Sequence, residues 1–495
     1  MDEPAPPLTP PAGFGHWPLT LLAVLTAIFS AFLSTHLSPY AGGADSAGYL
    51  SSARLLRHGE LLAPVRQLTG HSPVEFGPIA FQPLGFLVRD ASGWMVPSYP
   101  IGLPLHLVAA AMLVGSSHAV TLVNVVTSVV SGLLLFGLCR RLGISAPGAL
   151  AGVVWLWLCP LYLFAALQPM SDLLAVGWSL ATLYCALLAR ERWPWGFACG
   201  MAVAIAVLVR PTNLLLFAPV AVAVGWRPRA ILAIGAAGLP GVLVFGYYNW
   251  RVYGAPLTTG YGDVTSAFSS QFVTHNLAHF SQWIPALLTP LILLACAAPF
   301  IRRARQRGFA MLAVWFAILT GFYAFYYHSG ETWWYLRFIL PAFPTAIIAA
   351  VLVAETGWRA LPARAWTPVL AGLVVLGAVG EIRQIRQLDI LAIEPQERTY
   401  PDAAQWAQRH LPQKAAVFCL QVSGAFIYYT EFMVVRWDLV APEKYPTLLT
   451  ALVQAERPVY AALFPFESPG ALEKIGGQWT KLATVGQVTF WRREP

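Results

Sequence analysis

Residues 119–141 read AVTLVNVVTSVVSGLLLFGLCRR. The stretch 119–139 contains no charged residue, and a pair of arginines follows it. A helix of about 20 apolar residues spans the hydrocarbon core of a bilayer. The stretch therefore predicts a membrane-spanning helix that ends in a short basic loop.

Composition extends this prediction to most of the chain. Of the 495 residues, 57% are apolar and only 11% are charged, whereas charged residues make up about 25% of an ordinary soluble protein. So few charges cannot cover the surface of a water-soluble protein of this length. A conventional soluble enzyme, a disordered chain and a disulfide-rich secreted scaffold are therefore excluded.

Further apolar runs predict a mainly α, polytopic membrane helix bundle with about eleven crossings. The predicted spans are residues 17–37, 119–139, 148–168, 173–190, 195–209, 211–226, 229–250, 283–301, 309–328, 336–355 and 366–381. The apolar segment 99–115 is short and contains Pro100 and Pro104, so we interpret it as a re-entrant segment.

Basic residues between the spans predict the orientation. Five clusters fall in alternate loops: Arg140 and Arg141; Arg190 and Arg192; Arg227 and Arg229; Arg302, Arg303, Arg305 and Arg307; and Arg359 and Arg364. The positive-inside rule makes these loops cytoplasmic. The loop 38–99 and the C-terminal region are then expected on the outer side of a bacterial inner membrane. The net charge of +8 therefore reflects membrane orientation, and we expect no nucleic-acid partner.

The composition changes after Glu381, where charged residues of both signs return. Short apolar runs in this region predict strands, and the segments between them predict helices. The predicted strands are 415–420, 433–437, 459–463 and 487–492, and the predicted helices include 446–456 and 469–475. We therefore predict a transmembrane domain at 1–381, with an outer loop at 38–99 that carries an interfacial helix, and a small outward-facing α/β domain at 382–495.

The first outer loop contains the sequence ADSAGYLSSARLLRHGEL at residues 44–61. Its apolar residues form a stripe at helical spacing, and Arg54 and Arg57 lie on a polar face, as expected for an interfacial helix. Asp45 lies in the first turn of this helix. A carboxylate there stabilises a helix N-terminus, and at the membrane boundary it is also a candidate general base. Both interpretations are open from the sequence.

Two further charged side chains occur at predicted span ends. Asp172 follows Ser171 where one span ends and the next begins, so it is either part of a helix cap or a second acid of the same site. Arg210 precedes Pro211 between two apolar half-helices. An arginine at such a break is costly unless it has a partner or faces water. It is therefore either a snorkelling interfacial residue or a ligand for an anion.

The segment GETWWYLRFILP, residues 330–341, contains Glu331 and Arg337 among aromatic residues. They form either an interfacial salt bridge or part of a polar site. Guanidinium groups hold two phosphate oxygens in a fork, so Arg337 and Arg210 are candidates to bind a lipid phosphate. Tyr261 is a candidate for an acceptor cleft, and the alternative is a solvated loop residue. No HExxH or CxxC pair is present, so we expect no required cofactor and no metal ligands, with a divalent cation as the less favoured alternative.

These segments resemble, in order along nearly the whole chain, those of the C-type membrane glycosyltransferases, particularly bacterial relatives of the protein O-mannosyltransferases and aminoarabinose transferases. The matching segments are residues 45–56, 99–105, 169–172, 209–212, 248–260 and 335–344. The resemblance implies that a sugar is taken from a polyprenyl-phosphate carrier on the outer face, with the catalytic acid of the first loop at Asp45. Two departures are that Ser46 stands where many relatives carry a second acid, and that Asp172 is a lone acid.

The sequence therefore predicts an inverting membrane glycosyltransferase that transfers a hexosyl or pentosyl group to a hydroxyl of a glycan, lipid or protein. Asp45 would take the acceptor proton, Arg337 and Arg210 would stabilise the departing phosphate, and Asp172 would orient the acceptor or hold a cation with Asp45. One alternative is an O-antigen ligase or polymerase, whose long loop usually comes late in the chain. Another is a secondary transporter, whose two halves often repeat.

Overall fold

The computed structural model describes residues 17–72, 75–77, 79–89, 93–262 and 264–494. Most of the chain up to residue 387 forms a helix bundle. Its helices are α1 (Trp17–His36), α2 (Ala44–Arg57), α3 (Gly102–Val114), α4 (Ser116–Arg141), α5 (Ala146–Leu158), α6 (Pro160–Ala166), α7 (Ser171–Glu191), α8 (Trp195–Val209), α9 (Phe217–Val224), α10 (Pro228–Tyr253), α11 (Val273–Leu287), α12 (Arg307–Ala324), α13 (Phe343–Arg359) and α14 (Trp366–Gln387). Longer 3₁₀ helices cover Pro211–Leu216, Pro290–Phe300 and Trp333–Phe338.

Each predicted span coincides with an apolar helical segment. Within the described residues, seven helices are long and apolar enough to cross a membrane, namely α1, α4, α7, α10, α12, α13 and α14. Two bent pairs bring this number to nine if each counts as one span: α5 with α6, and Ser270–Leu287 with Pro290–Phe300. The remaining two predicted spans correspond to the shorter helices α8 and Pro211–Val224. The prediction of a polytopic helical membrane protein is therefore confirmed.

The predicted cytoplasmic loops meet at one end of the bundle, which we call the arginine end. Arg141, at the C-terminus of α4, lies 2.8 Å from Glu191, at the C-terminus of α7. Arg359 lies 2.9 Å from Glu355 near the C-terminus of α13. Glu355 is fully buried and accepts hydrogen bonds from the amide and the hydroxyl of Ser145, which precedes α5. The ends of α4 and α7 are thereby joined by an ion pair, and Glu355 joins the end of α13 to the start of α5 with the partners that a buried carboxylate requires.

Within the segment 99–115, residues 102–114 form α3. Both ends of this helix lie at the end of the bundle opposite the arginine end. Gly102, at its start, packs so closely against the backbone of Val209 that a Cβ atom would overlap it. Ser116, just beyond its end, is hydrogen-bonded to Arg57 of α2. The chain therefore enters and leaves the bundle on the same side here, as predicted for a re-entrant segment.

The first outer loop and the region after α14 contain the strands. The loop contributes β1 (Ala63–Pro64), β2 (Phe86–Val88) and β3 (Trp94–Pro97), which form an antiparallel sheet in the order β1-β3-β2. After α14 the strands are β4 (Ala416–Phe418), β5 (Met433–Val435), β6 (Val459–Leu463), β7 (Trp479–Val485) and β8 (Val488–Arg493). The helices there are α15 (Ile393–Glu397), α16 (Thr399–His410), α17 (Ser423–Tyr429), α18 (Tyr445–Gln454) and α19 (Ser468–Ile475). We call this region the C-terminal α/β unit.

The sheet of the C-terminal α/β unit has the order β5-β4-β6-β8-β7. β4 is parallel to β5 and β6, whereas β8 is antiparallel to β6 and to β7. The four predicted strands correspond to β4, β5, β6 and β8, and the small α/β fold is confirmed. β7 was not predicted, because it is an edge strand with mostly exposed or half-exposed side chains and no buried apolar face.

The first outer loop and the C-terminal α/β unit share one hydrophobic core. Phe76 and Phe81 of the loop are buried in the same cluster as Phe426 of α17. The backbone amide of Arg436 also donates a hydrogen bond of 2.8 Å to the carbonyl of Ala80. Burial of large aromatic side chains supplies most of the energy of such contacts. The unit therefore holds the loop that connects α2 to α3.

The structure gives the predicted orientation a direct test. Arg305 lies at the arginine end and Lys481 lies on β7, and both side chains are exposed. In intact cells we expect a membrane-impermeant maleimide to label Lys481→Cys and to label Arg305→Cys only after permeabilisation. The native Cys296 is exposed, so both variants are made in a Cys296→Ser background. Labelling of Arg305→Cys in intact cells would show that the orientation is wrong.

Candidate active site

Asp45 is the second residue of α2, at the end of the bundle opposite the arginine end. Its Oδ2 lies 2.6 Å from Nη1 of Arg337. The exposed fractions of the Asp45 and Arg337 side chains are 24% and 14%. The carboxylate is therefore largely sheltered but still reachable from the outside of the bundle.

Arg337 belongs to the 3₁₀ helix Trp333–Phe338. Its guanidinium carbon lies 5.5 Å from the ring centre of Phe338 and 5.9 Å from that of Tyr335, within cation–π range. Nη1 is 3.7 Å from the sulfur of Met170. Nε is buried and has no hydrogen-bond partner among the described residues. Arg337 thus keeps donor capacity beyond its contact with Asp45.

Arg210 and Asp172 form a second ion pair, at 2.6 Å between Nη2 and Oδ1. Arg210 also donates from Nε to the Ser171 hydroxyl and from Nη1 to the Arg337 carbonyl, each at 3.3 Å. The exposed side-chain fractions of Arg210 and Asp172 are 11% and 2%. Arg210 is therefore a buried, paired residue and not a snorkelling one, and each of its three nitrogens has a partner. Removing one member of such a pair costs about 3–5 kcal/mol.

Tyrosines connect the two ion pairs to the rest of the site. The Tyr49 hydroxyl donates a hydrogen bond of 2.8 Å to Ser171, next to Asp172. The ring of Tyr49 lies 4.8 Å from that of Tyr99, and the Tyr99 ring lies 6.4 Å from that of Tyr261, edge to face. Tyr261 therefore borders the same site as Asp45. Tyr49 and Tyr99 were not predicted as site residues, although both lie inside segments singled out in the sequence.

Glu331 pairs with a different residue. Its Oε1 is 3.0 Å from Nδ1 of His328, in the preceding 3₁₀ helix. The alternative of a salt bridge between Glu331 and Arg337 is wrong, because the Arg337 guanidinium points to Asp45. The structure therefore brings together five of the six predicted residues, namely Asp45, Asp172, Arg210, Tyr261 and Arg337, and leaves Glu331 outside.

The surroundings of Asp45 decide its protonation. Burial raises the pKa of the Asp45 carboxyl, but the charge and hydrogen bond of Arg337 and the Tyr99 hydroxyl together outweigh burial. The pKa therefore lies below its ordinary value, and the carboxylate is ionised at neutral pH. A carboxylate and a guanidinium in contact can accept a proton and hold an anionic group within one site.

The metal alternative finds no cluster of ligands. No group of three or more His, Cys, Asp or Glu side chains in the described part of the chain is arranged to hold a metal ion. Asp172, which could have shared a cation with Asp45, is bound to Arg210 instead. Independence from a cofactor stays a prediction.

No protein-family model matches this chain, and no curated protein sequence matches it. Solved structures do match. ArnT from Cupriavidus metallidurans, bound to undecaprenyl phosphate, has a TM-score of 0.64 at 15% identity, over 97% of this chain and 98% of that chain.

Two other solved structures are also similar. An oligosaccharyltransferase from Archaeoglobus fulgidus tethered to an acceptor peptide has a TM-score of 0.56 at 12% identity, over 97% of this chain and 74% of that one. A mutant of the arabinofuranosyltransferase AftD from Mycobacteria has a TM-score of 0.50 at 14% identity, over 98% of this chain and 42% of that one. At these identities the similarity establishes the fold. The chain therefore has the fold of the C-type membrane glycosyltransferases, as the sequence resemblance predicted.

Proposed function

We propose that this protein is an inverting membrane glycosyltransferase. It transfers a sugar from a polyprenyl-phosphate carrier to an acceptor hydroxyl at the end of the bundle that carries Asp45. The observation that supports this proposal is the contact of 2.6 Å between the Asp45 carboxylate and the Arg337 guanidinium. The carboxylate can accept the proton of an attacking hydroxyl, and the guanidinium can bind the phosphate that leaves.

In the proposed reaction the acceptor oxygen attacks the anomeric carbon and forms the new glycosidic bond. The bond between that carbon and the phosphate oxygen breaks, and its electron pair stays on the phosphate. Asp45 takes the hydroxyl proton, and Arg337 stabilises the negative charge on the phosphate. Phosphate leaves without protonation, so one acid in the site suffices. A single displacement inverts the anomeric configuration.

Carrier binding and base strength are coupled in this scheme. Arg337 lowers the pKa of Asp45, and a lower pKa makes a carboxylate a weaker base. A phosphate that takes up the spare Nε donor and shares the charge of Arg337 raises the basicity of Asp45. The base is therefore strongest when the donor is bound.

Arg210 takes a different role from the one expected from sequence. Its nitrogens are occupied by Asp172, Ser171 and the backbone of Arg337. We assign the phosphate to Arg337, and Arg210 supports it by holding the Arg337 carbonyl. Asp172 keeps Arg210 in place, and Tyr261 borders the space for the acceptor.

The remaining elements of the proposal concern partners and location. The similar ArnT structure contains undecaprenyl phosphate, which supports a polyprenyl-phosphate-linked donor for this chain. The carrier delivers a hexosyl or pentosyl group, the acceptor is a glycan, lipid or protein, and the site faces outward from a bacterial inner membrane. No cofactor is needed. An O-antigen ligase or polymerase and a transporter are the alternatives. A transfer assay with purified protein distinguishes the transporter from the enzymes.

Asp45→Asn is expected to lower the rate of transfer by about 10²–10⁴-fold, because an amide keeps the size but does not take a proton at neutral pH. Mass spectrometry of lipid-linked sugars and envelope glycans, with and without the protein, first identifies donor and acceptor. Transfer is then measured with purified variants. Glu60→Gln, an exposed acid of the same loop, is the control and should retain the wild-type rate. A normal rate in Asp45→Asn contradicts the base, and substrate accumulation across vesicles without transfer supports a transporter.

Arg337→Lys is expected to weaken carrier binding roughly tenfold, because lysine keeps the charge but loses the forked geometry. Undecaprenyl phosphate serves as the probe, with affinity measured on protein in nanodiscs. Glu331→Gln is the matched control, and its affinity should be unchanged because Glu331 contacts His328. If Arg337→Lys and Arg337→Gln both bind the probe as the wild type does, Arg337 is not the phosphate ligand.

A further inference from the structure

The helix that carries Asp45 begins at a glycine with no side chain to cap it. Gly43 is the N-cap residue of α2, and no side-chain cap is formed there. The first amides of a helix lack partners inside the helix and need an acceptor. One such acceptor for the backbone comes from the far end of the chain, from Glu397 of α15.

Glu397 is packed against the backbone that leads into α2. The Gly43 amide lies close enough to its carboxyl group to lower the pKa of that group. A Cβ atom on Gly42 would lie only 1.6 Å from Glu397 Oε2, so a glycine is required for this approach. Because the macrodipole makes a helix N-terminus positive, a carboxylate at that position stabilises it.

The same stretch has further contacts with the C-terminal region. The Ala41 amide donates a hydrogen bond of 2.9 Å to the hydroxyl of Tyr429, in α17. The ring of Tyr400 lies beside Gly42, and its hydroxyl accepts a hydrogen bond of 2.9 Å from Gln421. The start of α2 is therefore held by groups of the C-terminal region and not only by its own sequence.

We propose that Glu397 is a positioning residue that caps α2 from outside the helix and so fixes the direction of the Asp45 carboxylate. This inference rests on the proposed function for its effect on transfer, whereas the capping contact itself is tested without substrate. Through Glu397, the C-terminal region acts on the site from outside it.

The protonation of Glu397 sets when the cap is strongest. Burial raises the pKa of Glu397 to about 7, and the nearby Gly43 amide opposes this. The other titratable group against it is Tyr400, whose pKa burial raises above its ordinary value, so it stays neutral. Arg398 and Tyr40 both bind Glu394 instead. Because burial outweighs the effect of the Gly43 amide, the packed state favours the neutral carboxyl group over the carboxylate, so the cap is strongest below pH 7 and weakens as the pH rises through 7.

Hydrogen–deuterium exchange of the full-length protein tests the cap directly. At pH 8 we expect peptides covering residues 42–50 to exchange about fivefold more slowly in Glu397→Gln than in the wild type, because the amide keeps an acceptor at this position without the cost of a buried charge. At pH 6 the two proteins should exchange alike, because Glu397 is then neutral. Glu394→Gln, one turn away on the same segment, should match the wild type at both pH values.

A second variant distinguishes loss of the cap from general unfolding. Gly42→Ala keeps Glu397 but displaces its carboxylate, so it should accelerate exchange in the same peptides and leave those of α7 unchanged. Equal exchange in wild type, Glu397→Gln and Gly42→Ala at pH 8 overturns the proposal. So does a difference between wild type and Glu397→Gln that persists unchanged at pH 6.

Transfer kinetics then link the cap to the site. We expect Glu397→Gln to raise kcat severalfold at pH 8 with unchanged affinity for undecaprenyl phosphate, because it removes the weakening of the cap that ionisation of Glu397 causes in the wild type between pH 6 and pH 8. Changed exchange with unchanged kcat would refute the positioning role. Absence of any transfer by the wild type would refute the proposed function and leave the exchange result standing.

Discussion

Two ion pairs, each closed at 2.6 Å, hold together the elements at the end of this bundle that carries Asp45. Charges at the edge of a hydrocarbon layer are tolerated only when they are paired or reach water. Pro211 ends α8 just after Arg210. The charge of Arg210 at this break needs a partner. Asp172 at the start of α7 supplies that partner. The break after α8 thus determines where the end of α8 meets the start of α7.

The sequence predicted the membrane architecture well because lipid imposes simple rules. Apolar run length and alternating arginine loops located each span, and both depend only on residues close in sequence. The partners of the charges do not follow such rules. Glu331, six residues from Arg337, is the partner that sequence spacing favours, whereas Asp45, from the first outer loop, is the actual one. Pairing across the fold is decided by packing, which no local pattern encodes.

The C-terminal region illustrates the same limit. Its balanced charge correctly indicated a small α/β fold, and its strands were located within a few residues. Its connection to the rest of the molecule was not visible, because Phe76 and Phe81 look like ordinary loop residues in the sequence. In the structure they complete the core of the C-terminal α/β unit. The presence of Phe76 and Phe81 is therefore explained by the core that they cover and not by the loop in which they lie.

The two ion pairs are chemically unequal, and this inequality is what makes a reaction plausible in the site. Arg210 has each of its nitrogens engaged, so any ligand would have to break a buried pair at a cost of several kcal/mol. Arg337 holds Asp45 through Nη1 and keeps a buried Nε without a partner among the described residues. An anion that binds Arg337 can therefore gain a hydrogen bond from it without displacing Asp45. One pair is suited to hold the architecture, and the other is suited to exchange partners during a reaction.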